Sequence, residues 1–271
     1  MVLNHKLSFL CLLLISKKVF GLIPATPIEQ SSRAIASLRN IIRDRDEDST
    51  SKPKRFYIDY LIPLPLETKE EDIDPWPGGL AQQYPYAEKI LLQILSGIVD
   101  EQGECSSQVI SAGDCCGFFI QESKTSPKND IAAILFPSVD LLSKIEEIDS
   151  MVGDRTLILF NRQFQRPADF GFFNKKKAEK AVFDRFQWGF AFQEFAVRSE
   201  DVKLTYEFPE GWQSCAICEE DGNMNEIELL DAQEERPTYD ELDKKINEVL
   251  PEPIWMRKMG EVDKKGFKFQ R

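Results

Sequence analysis

Two continuous apolar segments near the middle of the chain constrain its fold most strongly. The first lies in a predicted strand over 131–136 and the second, Leu157–Phe160, in a predicted strand over 155–161, with Pro137 and an apolar-periodic segment over 139–150 between them. Segments that are apolar at nearly every position are typical of strands in a sheet that is covered on both faces. The order strand, helix, strand requires a crossover connection. It therefore predicts two parallel strands with a helix packed on one face of the sheet.

The remaining periodicity places further elements on both sides of this unit. The spacing predicts helices over roughly 26–43, 79–98, 175–187 and 240–250, and a strand over 55–64. It also predicts a strand pair, or one strand with a bulge around Gly113, over 108–121 and an antiparallel meander over 188–231. Turn residues divide the meander, and Thr238 followed by Glu241 has the capping-box spacing of a helix start. We expect an α/β fold in a single domain, with a mixed sheet that has a parallel strand–helix–strand core and an antiparallel C-terminal meander.

Charge is distributed unevenly along the 271 residues. The net charge is −12, which argues against a nucleic-acid partner because binding phosphates requires a cationic surface. Residues 219–250 hold twelve Asp/Glu and three Lys/Arg, whereas residues 251–271 hold six Lys/Arg and three Asp/Glu. We interpret these as a solvated acidic face followed by a basic tail.

The first 21 residues resemble a targeting segment. Lys6 precedes an apolar run over residues 7–15, which is too short to span a bilayer and has the length of a signal-peptide core. We therefore predict a signal segment over 1–21, a domain over 24–250 and a tail over 251–271. No other segment approaches the ~20 apolar residues that a membrane helix needs, so no membrane span is expected in the mature chain.

Cysteine and histidine usage narrows the possible chemistry. Cys215 and Cys218 have the spacing of half a zinc ribbon or of a redox pair, but they fall in a predicted strand, where residues three apart point to opposite faces. This favours structural cysteines over a metal or redox site. The only histidine, His5, lies in the targeting segment, so no Ser–His or Cys–His pair is expected in the mature chain. Nucleotide-binding glycine fingerprints are absent as well, and the sequence predicts neither a metal site nor a cofactor.

A proline- and glycine-rich loop before the second predicted helix is the most distinctive motif. Its two prolines and two glycines fix the backbone around one tryptophan and expose the helix N-terminus, which suits either an anion or a tryptophan locked under a turn. Parallel strands place their carboxyl ends at one sheet edge, where open α/β sheets bind ligands. Asn161, at such an end, has two interpretations: its side chain caps the turn or faces a ligand. The candidate ligand or partner surface therefore combines the loop with two strand ends: Asp74, Trp76, Gly78, Gly79, Gln82, Gln83, Pro137 and Asn161.

Several fragments carry a family resemblance, in order, over roughly residues 24–250. The loop Asp74–Gln83 is the distinctive one; the others are Ile23-Pro24 with the helix after it, Phe56–Tyr60, Ile134–Pro137, Leu157–Asn161, Phe208–Trp212 and Arg236–Leu242. Together they resemble a domain of unknown function, numbered nineteen ninety-five, of plants, algae and cyanobacteria. This family includes the plant low photosystem II accumulation protein three.

The resemblance implies a plastid role more readily than a reaction. It implies an accessory protein that aids photosystem II assembly or accumulation by binding plastid proteins, and it favours a non-enzymatic role over an enzymatic one. The same domain also occurs joined to an adenylate-kinase-like unit, so the alternative is a binder or enzyme for a phosphorylated metabolite at the strand edge. Phe20, at the plausible cleavage junction of the targeting segment, fits entry into a complex plastid through a signal peptide. The alternative location is secretion.

Overall fold

Nine strands and five α-helices make up the described part of the chain. The computed structural model describes residues 22–47, 53–64, 76–220, 223–252 and 256–257. The strands are β1 (Arg55–Asp59), β2 (Gln102–Ser111), β3 (Cys116–Ser123), β4 (Ile131–Leu135), β5 (Thr156–Phe160), β6 (Gln187–Val197), β7 (Glu200–Glu207), β8 (Gly211–Glu220) and β9 (Asn223–Gln233). The helices are α1 (Pro27–Glu47), α2 (Gly79–Ile98), α3 (Leu142–Val152), α4 (Gly171–Ala178) and α5 (Tyr239–Val249). The predicted targeting segment, Asp74 and most of the basic tail lie outside the described residues.

All nine strands form one mixed sheet in the order β2-β3-β4-β5-β1-β6-β7-β8-β9. The four central strands, β4, β5, β1 and β6, are parallel to one another, and the pairs on both sides of them are antiparallel. The predicted parallel pairing is confirmed, with Ile131 opposite Thr156 and Leu135 opposite Phe160. The antiparallel C-terminal meander is also confirmed, as β6 through β9. The fold is a mixed α/β single domain.

Helices cover both faces of the parallel strands, which explains why β4 and β5 are apolar throughout. All five residues of each strand are buried. Alternate residues contact opposite layers: Ala133 and Ile158 pack with α1 and α2, whereas Ile134 and Leu157 pack with α3. Each face of the strand pair therefore needs apolar side chains, as expected for a covered parallel sheet.

A third cluster lies under α5 and connects the meander to the rest of the core. Leu242 and Ile246 of α5 pack against Val202, Leu204 and other buried residues of the meander. Thr238 begins this helix with a capping box, in which its hydroxyl accepts from the Glu241 amide and the Glu241 carboxylate accepts from the Thr238 amide at 2.7 Å. The capping box predicted from the spacing is confirmed.

A buried arginine attaches the start of β1 to the end of α3. Arg55 is 1% exposed, and its guanidinium forms an ion pair with Asp149 and donates to the carbonyls of Gly153 and Arg155, each at 2.6 Å. Asp149 also accepts from Arg185 at 2.8 Å. These bonds satisfy carbonyls around the α3 C-terminus that lack helical partners.

Element boundaries differ most from the sequence prediction in three places. The strand pair predicted over 108–121 begins earlier, at Gln102. The predicted strand over 55–64 ends at Asp59, and the predicted helix over 175–187 begins at Gly171 and ends in a π-helical turn over Glu179–Phe183. A left-handed glycine, Gly171 at φ +74°, joins this helix to a preceding 3-10 turn over Pro167–Phe170. Periodicity does not reveal that junction, because the first turn of α4 buries none of its side chains.

None of the helices in the described segments combines the length and the apolar character that crossing a bilayer requires.

Candidate functional site

A cleft of about 610 Å³ lies at the carboxyl ends of the parallel strands. Its lining includes Asp59 at the end of β1, Phe136 after β4 and Asn161 after β5. Residues from α2, β6 and the segment before α5 complete the walls. This is the edge at which open α/β sheets place ligands.

Two neighbouring strands end in a backbone conformation that is uncommon for residues with side chains. Phe136 has φ 52° and Asn161 has φ 50°. Both are held by backbone bonds, since the Phe136 amide donates to the Phe160 carbonyl at 2.9 Å and the Asn161 amide donates to the Ile58 carbonyl at 2.7 Å. Left-handed geometry at a bulky residue costs on the order of 1–3 kcal/mol and is concentrated at functional sites.

The side chain of Asn161 is used to join two strand ends. Its Oδ1 accepts from the Tyr60 amide at 2.6 Å, and its Nδ2 donates to the Tyr60 carbonyl at 2.9 Å. Both ends of the side-chain amide are therefore bonded to the backbone that follows β1. Of the two interpretations considered for Asn161, this geometry corresponds to a structural clamp that shapes the cleft.

The first turns of α2 form one wall, and they follow directly from the proline–glycine loop. Leu80 and Gln83 line the cleft. The loop itself is closed by local bonds, because the Gly79 amide donates to the Trp76 carbonyl at 2.8 Å and the Gly78 amide donates to Gln82 Oε1 at 3.0 Å. Gly79 has φ +60°, a conformation in which glycine avoids strain.

Trp76 is partly exposed and is not buried under the turn. Its ring contacts Tyr86 edge to face at 5.4 Å and packs on the core beneath α1 and α2. Tyr86 is itself 40% exposed. The two rings therefore form an aromatic surface beside the start of α2.

Arg162 provides a buried positive charge in the cleft. Its guanidinium lies 4.0 Å from the centre of the Tyr57 ring and 4.6 Å from that of Trp188, and the residue is 7% exposed. Its Nη2 donates to Gln165 Oε1 at 3.3 Å, while its buried Nε has no partner among the described residues. Stacked aromatic rings stabilise a guanidinium and fix its direction.

The carboxyl group of Asp59 lies deep in the same cleft, although the residue as a whole is only partly buried. Burial raises the pKa of this carboxyl group above its ordinary value, and Arg162, a hydrogen bond from Gln193 and Arg236 oppose that increase. Gln193 Nε2 donates to Asp59 Oδ2 at 2.6 Å, whereas Oδ1 is buried and has no partner among the described residues.

Arg236 extends the positive side of the cleft towards solvent. Its guanidinium donates to Gln193 Oε1 at 2.9 and 3.1 Å and lies within 5.9 Å of the Phe195 ring centre. A chain of contacts thus runs from Asp59 through Gln193 to Arg236. Arginine is suited to phosphate and carboxylate groups, so a ligand with an anionic group and a hydrogen-bond donor matches this wall.

The structure brings together only some of the residues predicted from the sequence. Gln83 and Asn161 line the same cleft. Pro137 is buried, and its carbonyl accepts from the amide of Gln163, which lines the cleft. The loop residues Trp76, Gly78, Gly79 and Gln82 are outside the cleft lining, and Asp74 lies outside the described residues.

The charged and amide groups of the cleft were missed by the sequence analysis. Asp59 interrupts the apolar strand Phe56–Tyr60, and Arg162 directly follows Asn161. Both positions follow from applying the carboxyl-edge rule to every parallel strand. Gln193 and Arg236 carry no such signal, because they come from the middle of β6 and from a loop that is distant in sequence.

The cysteine pair that resembles half a metal or redox site lies within β8. Cys215 is fully buried and Cys218 is 4% exposed, and burial raises the pKa of the Cys215 thiol to about 12. Cys218 packs with Ala216 in the cluster under α5. Within the described segments, no group of three or more metal-ligand side chains comes together.

Comparison with known proteins identifies a family. No curated protein matches the chain. The profile of a family described as a domain of unknown function (DUF1995) matches residues 24–244, which is more than half of the chain. The chain belongs to this family.

Proposed function

We propose that this chain is a plastid accessory protein that aids photosystem II assembly or accumulation by binding other plastid proteins. Family membership over residues 24–244 carries the proposal, through the resemblance to low photosystem II accumulation proteins. The position of the only histidine, His5, supports a non-catalytic role, since a general base of the commonest type is absent from residues 24–244.

The partner surface in this proposal is the start of α2 and the adjoining edge of the cleft. Tyr86 offers exposed aromatic area there, the partly buried Trp76 contacts it edge to face, and Leu80 and Gln83 line the cleft. Aromatic residues on a rigid element are frequent anchors at protein interfaces. The glycine turn fixes their position relative to the strand ends.

Affinity capture from solubilised thylakoids tests the partner class. We expect the tagged chain to recover photosystem II subunits or assembly factors, and Gln83→Ala with Tyr86→Ala to reduce that recovery severalfold without changing the melting temperature. Lys244→Ala, an exposed change on α5, is the matched control. Recovery of other plastid proteins only, or equal recovery by both variants, would refute the proposal.

The plastid location is part of this proposal and is tested separately. A fluorescent protein fused to the C-terminus should accumulate in the plastid, and deletion of residues 1–21 should prevent its import. Accumulation outside the cell would establish the secreted alternative.

The cleft favours a second candidate, a binder of a small phosphorylated ligand. Arg162 and Arg236 supply two cations at the carboxyl edge, and Asp59 supplies an acceptor between them. A guanidinium group binds phosphate oxygens through paired N–H donors, which fits this arrangement.

A thermal-shift screen with sugar phosphates and nucleotides tests this candidate. A ligand at a hundredfold excess over its Kd stabilises the folded chain by about 2.7 kcal/mol, which gives a clear increase in Tm. Arg236→Gln should remove the increase, whereas Arg166→Gln, an exposed arginine outside the cleft lining, should retain it. Absence of any shift across the panel, or a shift unaffected by Arg236→Gln, would exclude the cleft as the site.

A further inference from the structure

The most exposed large apolar side chains of the described residues are adjacent in sequence. Phe172 is 91% exposed and Phe173 is 94% exposed, and their rings contact each other edge to face at 5.6 Å. Burying a phenylalanine side chain removes on the order of 150–250 Å² from water. A contiguous exposed patch of this kind marks an interaction site.

The helix that carries this pair projects from the body of the domain. Every residue over 171–177 is exposed, whereas Phe170, Ala178 and Val182 are buried in the core on the α3 side of the sheet. Phe164 and Phe170 anchor the preceding turn with ring centres 4.7 Å apart. The apolar pair is therefore held outward on a fixed support.

Lysines surround the phenylalanine pair on the same helix. Lys175 and Lys176 lie three and four residues after Phe172, so they share its helical face. Neither they nor Lys180 form an ion pair within the described segments, while Lys177 is bound to Glu146 at 2.6 Å. Residues 171–185 hold five Lys/Arg and two Asp/Glu, a net of +3 in a chain whose net charge is −12.

We propose that Phe172 and Phe173, with Lys175, Lys176 and Lys180, form a docking element for a membrane surface that contains anionic lipid. The rings protrude from the helix, a shape that a deformable lipid interface accommodates, and neither ring lines the adjacent pocket of about 300 Å³ between this segment and α3. Phenylalanine enters the boundary between headgroups and acyl chains, and neighbouring lysines bind anionic headgroups. Lys177 and Arg185 are already paired with Glu146 and Asp149, so the charge complementarity comes from Lys175, Lys176 and Lys180.

The acidic character of the whole chain does not oppose this contact strongly. At physiological ionic strength the Debye length is about 8 Å, so acidic groups farther away are screened. Two acidic groups on the element itself are Glu179 and Asp184, and Glu146 on α3 already neutralises Lys177. The local cations therefore dominate the field at the phenylalanine tip.

Hydrogen–deuterium exchange of the full chain, with and without vesicles, measures this contact locally. Vesicles of phosphatidylcholine with about one-third phosphatidylglycerol should slow exchange over residues 171–177 at least about threefold. Phosphatidylcholine alone should protect this segment less. The readout reports this segment separately from any binding by the apolar run at residues 7–15.

Two variants separate the apolar and the cationic contributions. Phe172→Ser with Phe173→Ser should abolish the protection and leave the melting temperature unchanged, because both side chains are exposed. Lys175→Glu with Lys176→Glu should remove the preference for phosphatidylglycerol, whereas Lys244→Glu on α5 should preserve it.

Three results would overturn the proposal. The first is an unchanged exchange rate over 171–177 with phosphatidylglycerol vesicles. The second is equal protection in the double serine variant. The third is a concentration-dependent dimer in sedimentation that the double serine variant abolishes, which would assign the patch to a second copy of the chain.

Discussion

Asn161 combines an unfavourable backbone conformation with two side-chain hydrogen bonds that compensate for it. At φ 50° asparagine is tolerated better than most residues, and its amide bonds both backbone groups of Tyr60. The residue therefore fixes the relative position of the β1 and β5 ends, from which the cleft is built. Sequence reasoning identified the position but left open whether the amide faced the turn or a ligand.

Replacement of Asn161 separates these two contributions. Asn161→Ala should destabilise the fold by about 2–3 kcal/mol, because it loses two hydrogen bonds and keeps the strained φ. Asn161→Gly should cost less, since glycine accepts this φ without strain. Urea unfolding measures both, with Lys244→Ala on α5 as an exposed control. Equal costs for alanine and glycine would mean that the backbone conformation carries no strain.

The carboxyl group of Asp59 makes the free energy of unfolding of the domain depend on pH. Burial raises the folded-state pKa of its carboxyl group above the ordinary value of 3.8. The folded state thus retains the proton to higher pH than the unfolded state does, so this contribution is fully present below pH 3.8 and is lost as pH rises through the folded-state pKa.

Comparison with Asp59→Asn isolates that contribution. The melting temperature of the unmodified chain should fall relative to that of Asp59→Asn as the pH increases from acidic to neutral, because the variant cannot ionise at this position. Differential scanning calorimetry across this pH range measures the difference. A difference that is constant with pH, or that changes in the opposite direction, would contradict the raised pKa.

Arg55 shows how one side chain holds two elements together. It connects the first residue of β1 to Asp149 and to carbonyls beyond the end of α3. Sequence periodicity predicts both elements but contains no signal for this connection, because Arg55 at the start of an apolar strand resembles an ordinary solvated residue.

Arg55→Leu should destabilise the fold by about 3–5 kcal/mol, since removing one partner of a buried ion pair leaves the other uncompensated. Asp149 keeps its contact with Arg185, which places the expected cost towards the lower end. Arg166→Leu, at an exposed arginine, is the control and should change stability by less than about 0.5 kcal/mol. A silent Arg55→Leu variant would show that packing alone fixes α3 against the sheet.

Elements with strong local signals were the ones that sequence reasoning could predict. The bounds of α2, Gly79–Ile98, and the capping box at Thr238 follow from turn residues and periodicity. The π-helical turn after α4, and the exposed phenylalanines at the start of α4, could not be predicted in this way. Side chains that contact little leave no periodic pattern, so a boundary there is set by Gly171 and by the turn before it.

At the scale of the whole molecule, strand order was the main unpredicted property. β1 lies between β5 and β6, although about 100 residues separate it from β5 in sequence and about 130 separate it from β6. The cleft depends on this order, because it brings Asp59 beside Arg162 and places Gln193 and Arg236 around them. A single sequence predicts each strand from local composition, whereas pairing over such separations is decided by packing of the complete sheet.

The central claim is that the start of α2 and the adjoining cleft edge bind a plastid partner. Photo-cross-linking tests it most directly, with a benzoylphenylalanine at position 83 in one variant and at position 244 in a control. In isolated thylakoids we expect the variant labelled at 83 to form adducts with photosystem II subunits or assembly factors, and the variant labelled at 244 to form none. Adducts from position 244 alone, or adducts at position 83 with no photosystem II component among them, would contradict the account.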